Sequence, residues 1–326
     1  MTNKTKRFVE TLPAVVIFIG VVMESASVGL LGVGNMGYPM ALRLMEIGLR
    51  VTVCDRNVEA VEKLAVKGAL SAETPRELSD RCEIILVSMP SVEASRSVSL
   101  GVDGVIHGSR LKVYVETSTL GSAAIQEIKE GLAGKKIGVV DAPVSGGPPA
   151  AREGTLAVLA SGAKEHFSFV RPVLERLAGK LFYLGERPGM SQVAKLINNH
   201  VSAAGRLAAF EGLSMGIKAG IDPAILNDVL NAGSGRNYTT THKVPASILT
   251  KTYKFNGPLA IGLKDEALLL EEAQRVGAAL WLGPRILEFY REAAMAGYRD
   301  EDSMKAFLYI ASQSAPEYEA AIEKTE

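Results

Sequence analysis

"SVGLLGVGNMGYPMALRLMEIG", residues 27–48, runs from a short apolar strand through three glycines into an amphipathic helix. Gly32, Gly34 and Gly37 make the pattern G-x-G-x-x-G, with Val33, Asn35 and Met36 between them. The first glycine permits a tight turn, the second lets the backbone approach a pyrophosphate, and the third allows close helix–strand packing. Phosphates would then meet the helix N-terminus. A glycine turn of this kind can also serve packing alone, and the next strand decides between the two. "RVTVCDRN" (50–57) is an alternating strand whose Asp55 stands 23 residues after Gly32. That spacing suits an acid accepting hydrogen bonds from the adenosine ribose. The segment therefore predicts a nicotinamide dinucleotide site. Asp55 would repel a 2′-phosphate and favours NAD, whereas the adjacent Arg56 can stack on adenine or pair with that phosphate and keeps NADP open.

The strand–helix rhythm continues. "CEIILVSMP" (82–90), "KVYVETST" (112–119) and "KIGVVDAPVSGG" (136–147) read as strands, with helices over Val92–Leu100 and Ala123–Ala133 between them. Such alternation predicts a parallel sheet whose ligands bind beyond the carboxyl ends of its strands. Those ends carry Met89, Pro90, Ser118, Thr119 and Ser145, and Thr119 could alternatively cap the helix after it. In "DAPVSGGPPAAREGTLAVLASG" (141–162), Ser145, Gly146 and Gly147 set main-chain amides beside a hydroxyl, which suits an incoming carboxylate. Pro148 and Pro149 should stiffen the exit of that turn, and Asp141 should order the loop from within.

After "KLFYLGERPG" (180–189) the strand signals fade. A long helix is predicted over 190–219, closed by Gly220, followed by helices near 222–232, 264–277, 283–296 and 302–313. The fold expected is α/β: a Rossmann-type, doubly wound parallel sheet over 27–187, joined by the long helix to an all-α domain over 188–326. Within that helix, "SQVAKLINNH" (191–200) sets Lys195 and Asn199 four residues apart, on one face. Oxidising an alcohol carbon requires a proton to leave its oxygen, and a lysine does this when burial brings its pKa toward neutrality. A snorkelling surface lysine is the alternative for an isolated K-x-x-x-N.

With 326 residues, 47% of them hydrophobic, and 36 basic against 36 acidic side chains, the composition is that of a globular protein. Balanced charge argues against a nucleic acid or acidic membrane as partner. Cys54 and Cys82 have no metal-ligand spacing, and His107, His166, His200 and His242 suggest no cluster, so no metal is expected. Residues 1–26 form an N-terminal extension with a basic start and an apolar run from Leu12 to Met23. This is leader-like but short for a membrane span. Met23 lies just before the first strand, so we read an extended reading frame or dispensable leader on a cytoplasmic protein, with export the alternative.

Four blocks in order, "GLLGVGNMGYPMA", "DAPVSGGPPAAREGTL", "GMSQVAKLINN" and "GLKDEALLL", resemble the β-hydroxyacid dehydrogenases, which include 3-hydroxyisobutyrate dehydrogenase and tartronate semialdehyde reductase. The resemblance implies hydride transfer between NAD(P) and a small 3-hydroxy acid or semialdehyde. It implies Lys195 as the catalytic lysine with Asn199 as its helper, and Ser145, Gly146 and Gly147 on the substrate carboxylate. Thr119 would stand near nicotinamide and substrate, and Lys264, beside Asp265, would close over the cofactor. A homodimer or homotetramer is implied as well. Relatives often carry a phenylalanine about eight residues before the Lys-Asp pair, where Gly257 and Pro258 stand here, and Arg236 could meet a second acidic group. Imine reductases share this fold but generally lack the lysine. A non-catalytic cofactor-binding module is the reading from another class.

Overall fold

The structure is a computed structural model that describes residues 27–255 and 257–313; the N-terminal extension lies outside them. The chain forms two compact units, the first ending at Gln192 and the second starting at Val193.

In the first unit, six parallel strands lie in the order β3-β2-β1-β4-β5-β6. They are β1 (Ser27–Leu31), β2 (Arg50–Cys54), β3 (Leu70–Ser71), β4 (Ile84–Val87), β5 (Val113–Glu116) and β6 (Gly138–Asp141). The apolar runs of β1 and β4 are continuous because both faces are covered. Leu30, Leu86 and Val115 pack into one apolar cluster, while Leu31, Ile85 and Tyr114 pack into another on the opposite face. Helix α1 (Gly37–Glu46) starts directly at the third glycine.

The expected single strand over 136–147 is two. Pro143 interrupts it, and Val144–Ser145 (β7) leaves the large sheet to pair antiparallel with Leu156–Ala160 (β8). Ala178–Tyr183 (β9) adds in parallel to β8. Between β7 and β8, Gly147–Glu153 is a short helix with Pro148 and Pro149 in its first turn, where a missing amide proton leaves no bond unmade.

The helix Met190–Lys218 begins in the first unit and runs on in the second. Its start is bonded to Asp141, which is fully buried at the end of β6. The Asp141 carboxylate accepts from Gly189 N (2.9 Å) and Gln192 N (3.2 Å), and Ser161 Oγ donates to it at 2.5 Å. Asp141 is thus an N-cap supplied from elsewhere in the chain, and it orders more than the loop it sits in. Burial pushes its pKa up to about 6. Gln192 in turn clamps the β5 exit, its Oε1 accepting from Leu120 N and Gly121 N and its Nε2 donating to Ser118 O.

The second unit is helical. After Gly220, with φ of 84°, Asp222 caps the helix Pro223–Ala232 through Ala224 N and Ile225 N. A π-helix follows over Thr239–Ile248. The helix Leu259–Val276 begins about one turn earlier than its sequence suggests, with Pro258 at its N-cap. Gly283–Ala293 and Ala306–Ser312 complete the unit. Its core gathers Leu207, Phe210, Leu259, Ile286, Tyr290 and Phe307, with Phe210 edge-on to Phe307 at 5.7 Å.

An Asp141→Asn variant keeps one acceptor but turns an amide N–H toward a backbone N–H. It should lose about 1–3 kcal/mol in urea unfolding, with the fastest new hydrogen exchange at Gln192.

Candidate active site

The glycine turn shows its constraints directly. Gly32 has φ of 89°, and a Cβ there would stand 2.2 Å from Ser88 O. A Cβ on Gly37 would meet Gly32 O at 1.9 Å, whereas one on Gly34 would meet nothing within 4 Å. The first and third glycines are therefore required by packing. The second, exposed at the start of α1, leaves the helix N-terminus uncovered, and packing does not require it.

Asp55 ties into the same turn. Val33 N donates to its Oδ2 at 2.6 Å and Asn57 N to its Oδ1 at 2.7 Å. Met89 N donates to Ser118 Oγ at 2.7 Å. Gly32, Val33, Asp55, Met89 and Ser118 are thereby brought together at the carboxyl ends of β1, β2, β4 and β5, while Arg56 and Pro90 are exposed. Cys54, just before Asp55, is buried, and burial with the Asp55 carboxylate pushes its thiol up to about 11.

Behind Ser118 lies a residue that sequence reading passed over. Glu116 is fully buried. Its carboxylate accepts from Ser95 Oγ (2.7 Å), Tyr114 OH (2.8 Å) and Ser118 N (2.9 Å), and burial raises its pKa. Thr119, partly exposed between these groups and the next helix, is not that helix's cap. Ser122–Ala133 has Gly121 at the N-cap, with φ of 81° and no side-chain cap. In the Ser145 loop, Gly146 and Gly147 have φ of 133° and 73°, so the turn needs two residues without side chains. The helix it opens packs against α1, pinned by the Arg152–Glu46 ion pair.

In the second unit, Lys195 is only 7% exposed. Burial lowers its pKa to about 8, with Asp265 opposing the shift and Lys264 adding to it. Asn199 Nδ2 donates to Asp265 Oδ2 at 2.6 Å, and Lys264 Nζ reaches Asp265 Oδ1 at 2.8 Å. Read alone, Lys264–Asp265 looks like a solvated helix start. The pair instead stands inside a helix, and the Asp265 carboxylate is buried between Asn199 and Lys264. Asn198 is exposed and donates to Asn199 Oδ1. His200 pairs with buried Glu266 at 2.7 Å. Arg236 is exposed. Two other cations, Arg206 and Lys243, line a cavity of this unit together with Asn199, Phe255, Gly257 and Pro258. Arg206 was legible in principle, since residues 199, 202, 203 and 206 form one helical stripe.

Among the described residues no helix is long and apolar enough to cross a membrane, and no group of three or more His, Cys, Asp or Glu could hold a metal.

Comparison with known proteins agrees with these arrangements. Residues 27–185 match the family described as the NAD-binding domain of 6-phosphogluconate dehydrogenase. Residues 189–310 match the one described as NAD-binding of NADP-dependent 3-hydroxyisobutyrate dehydrogenase. The chain is 34% identical to 3-hydroxyisobutyrate dehydrogenase of Pseudomonas aeruginosa over 263 residues, covering 78% of this chain and 88% of that protein. It is 29% identical to L-threonate dehydrogenase of Cupriavidus necator, covering 85% and 94%. A crystal structure of 3-hydroxyisobutyrate dehydrogenase from Salmonella typhimurium superposes with a TM-score of 0.78 at 28% identity, over 87% of this chain and 99% of that one. An imine reductase from Myxococcus stipitatus, at 21% identity and a TM-score of 0.60, shares the fold. The protein is thus an NAD(P)-dependent oxidoreductase acting on the CH–OH group of small hydroxy acids. The chain belongs to the 3-hydroxyisobutyrate dehydrogenase family of β-hydroxyacid dehydrogenases.

The two glycines separate experimentally. Gly37→Ala should lower the melting temperature by several degrees, because its methyl meets backbone. Gly34→Ala should leave it unchanged by calorimetry.

Proposed function

We propose that the protein oxidises a small 3-hydroxy acid, or reduces the matching semialdehyde, with Lys195 as general acid/base. The observation that carries this reading is the buried Lys195, whose amine loses its proton near pH 8. In the oxidative direction the neutral amine accepts the hydroxyl proton, and in the reductive direction the ammonium returns it. Asn199, bonded to Asp265, offers its amide to the lysine or the substrate oxygen without adding charge. Asp265 is a positioning residue, fixing Asn199 and Lys264 together. Ser145, Gly146 and Gly147 take the substrate carboxylate, and Thr119 stands by the reacting end. 3-Hydroxyisobutyrate and L-threonate, the substrates in the relatives' names, define the class of acid to try.

A Cβ at Gly34 would meet nothing, which supports a pyrophosphate at this turn. Val33, Asn35 and Met36 would hold it with Gly32 and Gly37, Asp55 and Arg56 would take the ribose, and Met89, Pro90 and Lys264 would complete the cofactor site. When bound, the nicotinamide supplies or takes up the hydride. Asp55 favours NAD, because its carboxylate would meet a 2′-phosphate. Residues 27–187 then serve as the dinucleotide domain, and 188–326 as the substrate and oligomerisation domain of a cytoplasmic homodimer or homotetramer.

Lys195→Ala should cost about 10²- to 10⁴-fold in kcat/KM while NAD binding by calorimetry persists; near-normal turnover would rule the assignment out. In wild type, oxidative kcat/KM should rise with pH through an apparent pKa near 8, since only the neutral amine accepts a proton, and the reductive rate should fall through it. Asp265 raises this pKa and Lys264 lowers it. Asp265→Asn should therefore move the profile to lower pH and Lys264→Met to higher, a split that a merely structural role would not produce.

A further inference from the structure

The helical unit forms an open cavity of ≈ 190 Å³ beside Asn199, lined by Arg206, Lys243, Tyr290 and Ser303 and also by the carboxylates of Asp265 and Glu266. Those two carboxylates are bonded to other groups, and among the described residues neither Arg206 nor Lys243 is paired with an acid. Arg206 is 8% exposed. Its Nη1 donates to Ser303 Oγ at 3.2 Å and its Nη2 to Tyr290 OH, both neutral partners. Its Nε is buried with no hydrogen-bond partner. Among the described residues Lys243 has no hydrogen bond or ion pair; its Nζ stands over the rings of Tyr238 and Phe255, at 5.9 and 5.3 Å. The loss of water and then Arg206 lower its pKa to about 8, with Asp302 opposing the shift.

The carboxylates nearby are engaged elsewhere. Asp265 is held by Lys264 and Asn199, and Glu266 by His200. Asp302 accepts from the backbone amides of Phe255, Gly257 and Met304. Two neighbouring desolvated cations repel each other, and a buried donor without an acceptor is costly. An anion in the cavity would relieve both costs at once, with the guanidinium already held in place by Tyr290 and Ser303.

We propose that this cavity binds a second anionic group, a carboxylate or a phosphate, at the far end of the hydroxy-acid substrate, with Arg206 and Lys243 as its cationic ligands. The inference rests on the reading of Lys195 and Asn199 as the reacting end. Asn199 and Arg206 lie on one helical stripe, about 10 Å apart along the axis. The acid that fits therefore carries its second charge several bonds beyond the hydroxyl carbon. Short monoanionic acids leave the two cations unanswered.

The test compares 3-hydroxyadipate and 3-hydroxy-4-phosphooxybutanoate with 3-hydroxyhexanoate, which matches the adipate in length but lacks the second charge. Wild-type kcat/KM should be at least about tenfold higher for one of the two-anion acids, the worth of a charge-assisted hydrogen bond, and which one identifies the group. Arg206→Met and Lys243→Met should each reduce that ratio about ten- to a hundredfold. A wild-type ratio near one, or a ratio unmoved by both variants, overturns the inference. Should Arg206→Met fail to fold, Lys243→Met, at the cavity's more exposed side, decides alone. If wild type turns over none of the three acids, calorimetry with inorganic phosphate and glutarate decides: binding lost in Lys243→Met supports the site, and binding of neither overturns it. Lys195→Ala separates the two readings. A variant that keeps its turnover sinks the catalytic assignment, whereas a dead variant beside an unmoved ratio sinks only the anion site.

Discussion

A carboxylate that is not part of a helix fixes where the longest helix of the chain begins. Asp141 accepts from Gly189 and Gln192 at the start of the Met190–Lys218 helix, so the first turn is set by the end of β6 rather than by a local cap. Helical phase propagates from a fixed start at 3.6 residues per turn. Further along the same helix, Lys195, Asn199, Ser202 and Arg206 lie on one stripe because they are spaced by steps of three and four residues.

The charges of the second unit divide into two kinds. Asp265 and Glu266 are buried but answered, the first by Lys264 and Asn199 and the second by His200. Lys195, Arg206 and Lys243 are desolvated with no acid bonded to them, and such placements are costly enough to be rare unless a ligand completes them. Lys195 meets the cost by giving up its proton near neutrality. A guanidinium has no such escape, and Arg206 is held by the neutral hydroxyls of Ser303 and Tyr290.

What the sequence made legible was local. Gly32, Gly34 and Gly37 announce their turn because the three fall within six residues of one another, and the apolar runs of β1, β4 and β5 announce a sheet covered on both faces. The Lys195–Asn199 spacing was readable for the same reason, since one helical turn links the two. The bond from Asp141 to the helix start and the clamp made by Gln192 were opaque because those partners lie far along the chain: Gln192 clamps a loop some seventy residues earlier. The split of residues 136–147 into strands of two sheets arose from pairing with Leu156–Ala160, which no local propensity encodes. The basic residue expected to meet a second acid was Arg236, chosen for its segment. The buried cations were Arg206, hidden in an otherwise apolar helix, and Lys243, on a π-helix that periodicity does not reveal.

The thiol next to Asp55 has its own consequence. With its pKa near 11, Cys54 is thiolate in only about one molecule in ten thousand at neutral pH, and oxidants and alkylating agents react through the thiolate. The end of β2 is therefore chemically quiet. Asp55, which ties the glycine turn to this strand end, keeps its surroundings under oxidative stress, and thiol reagents would misreport as probes of that turn.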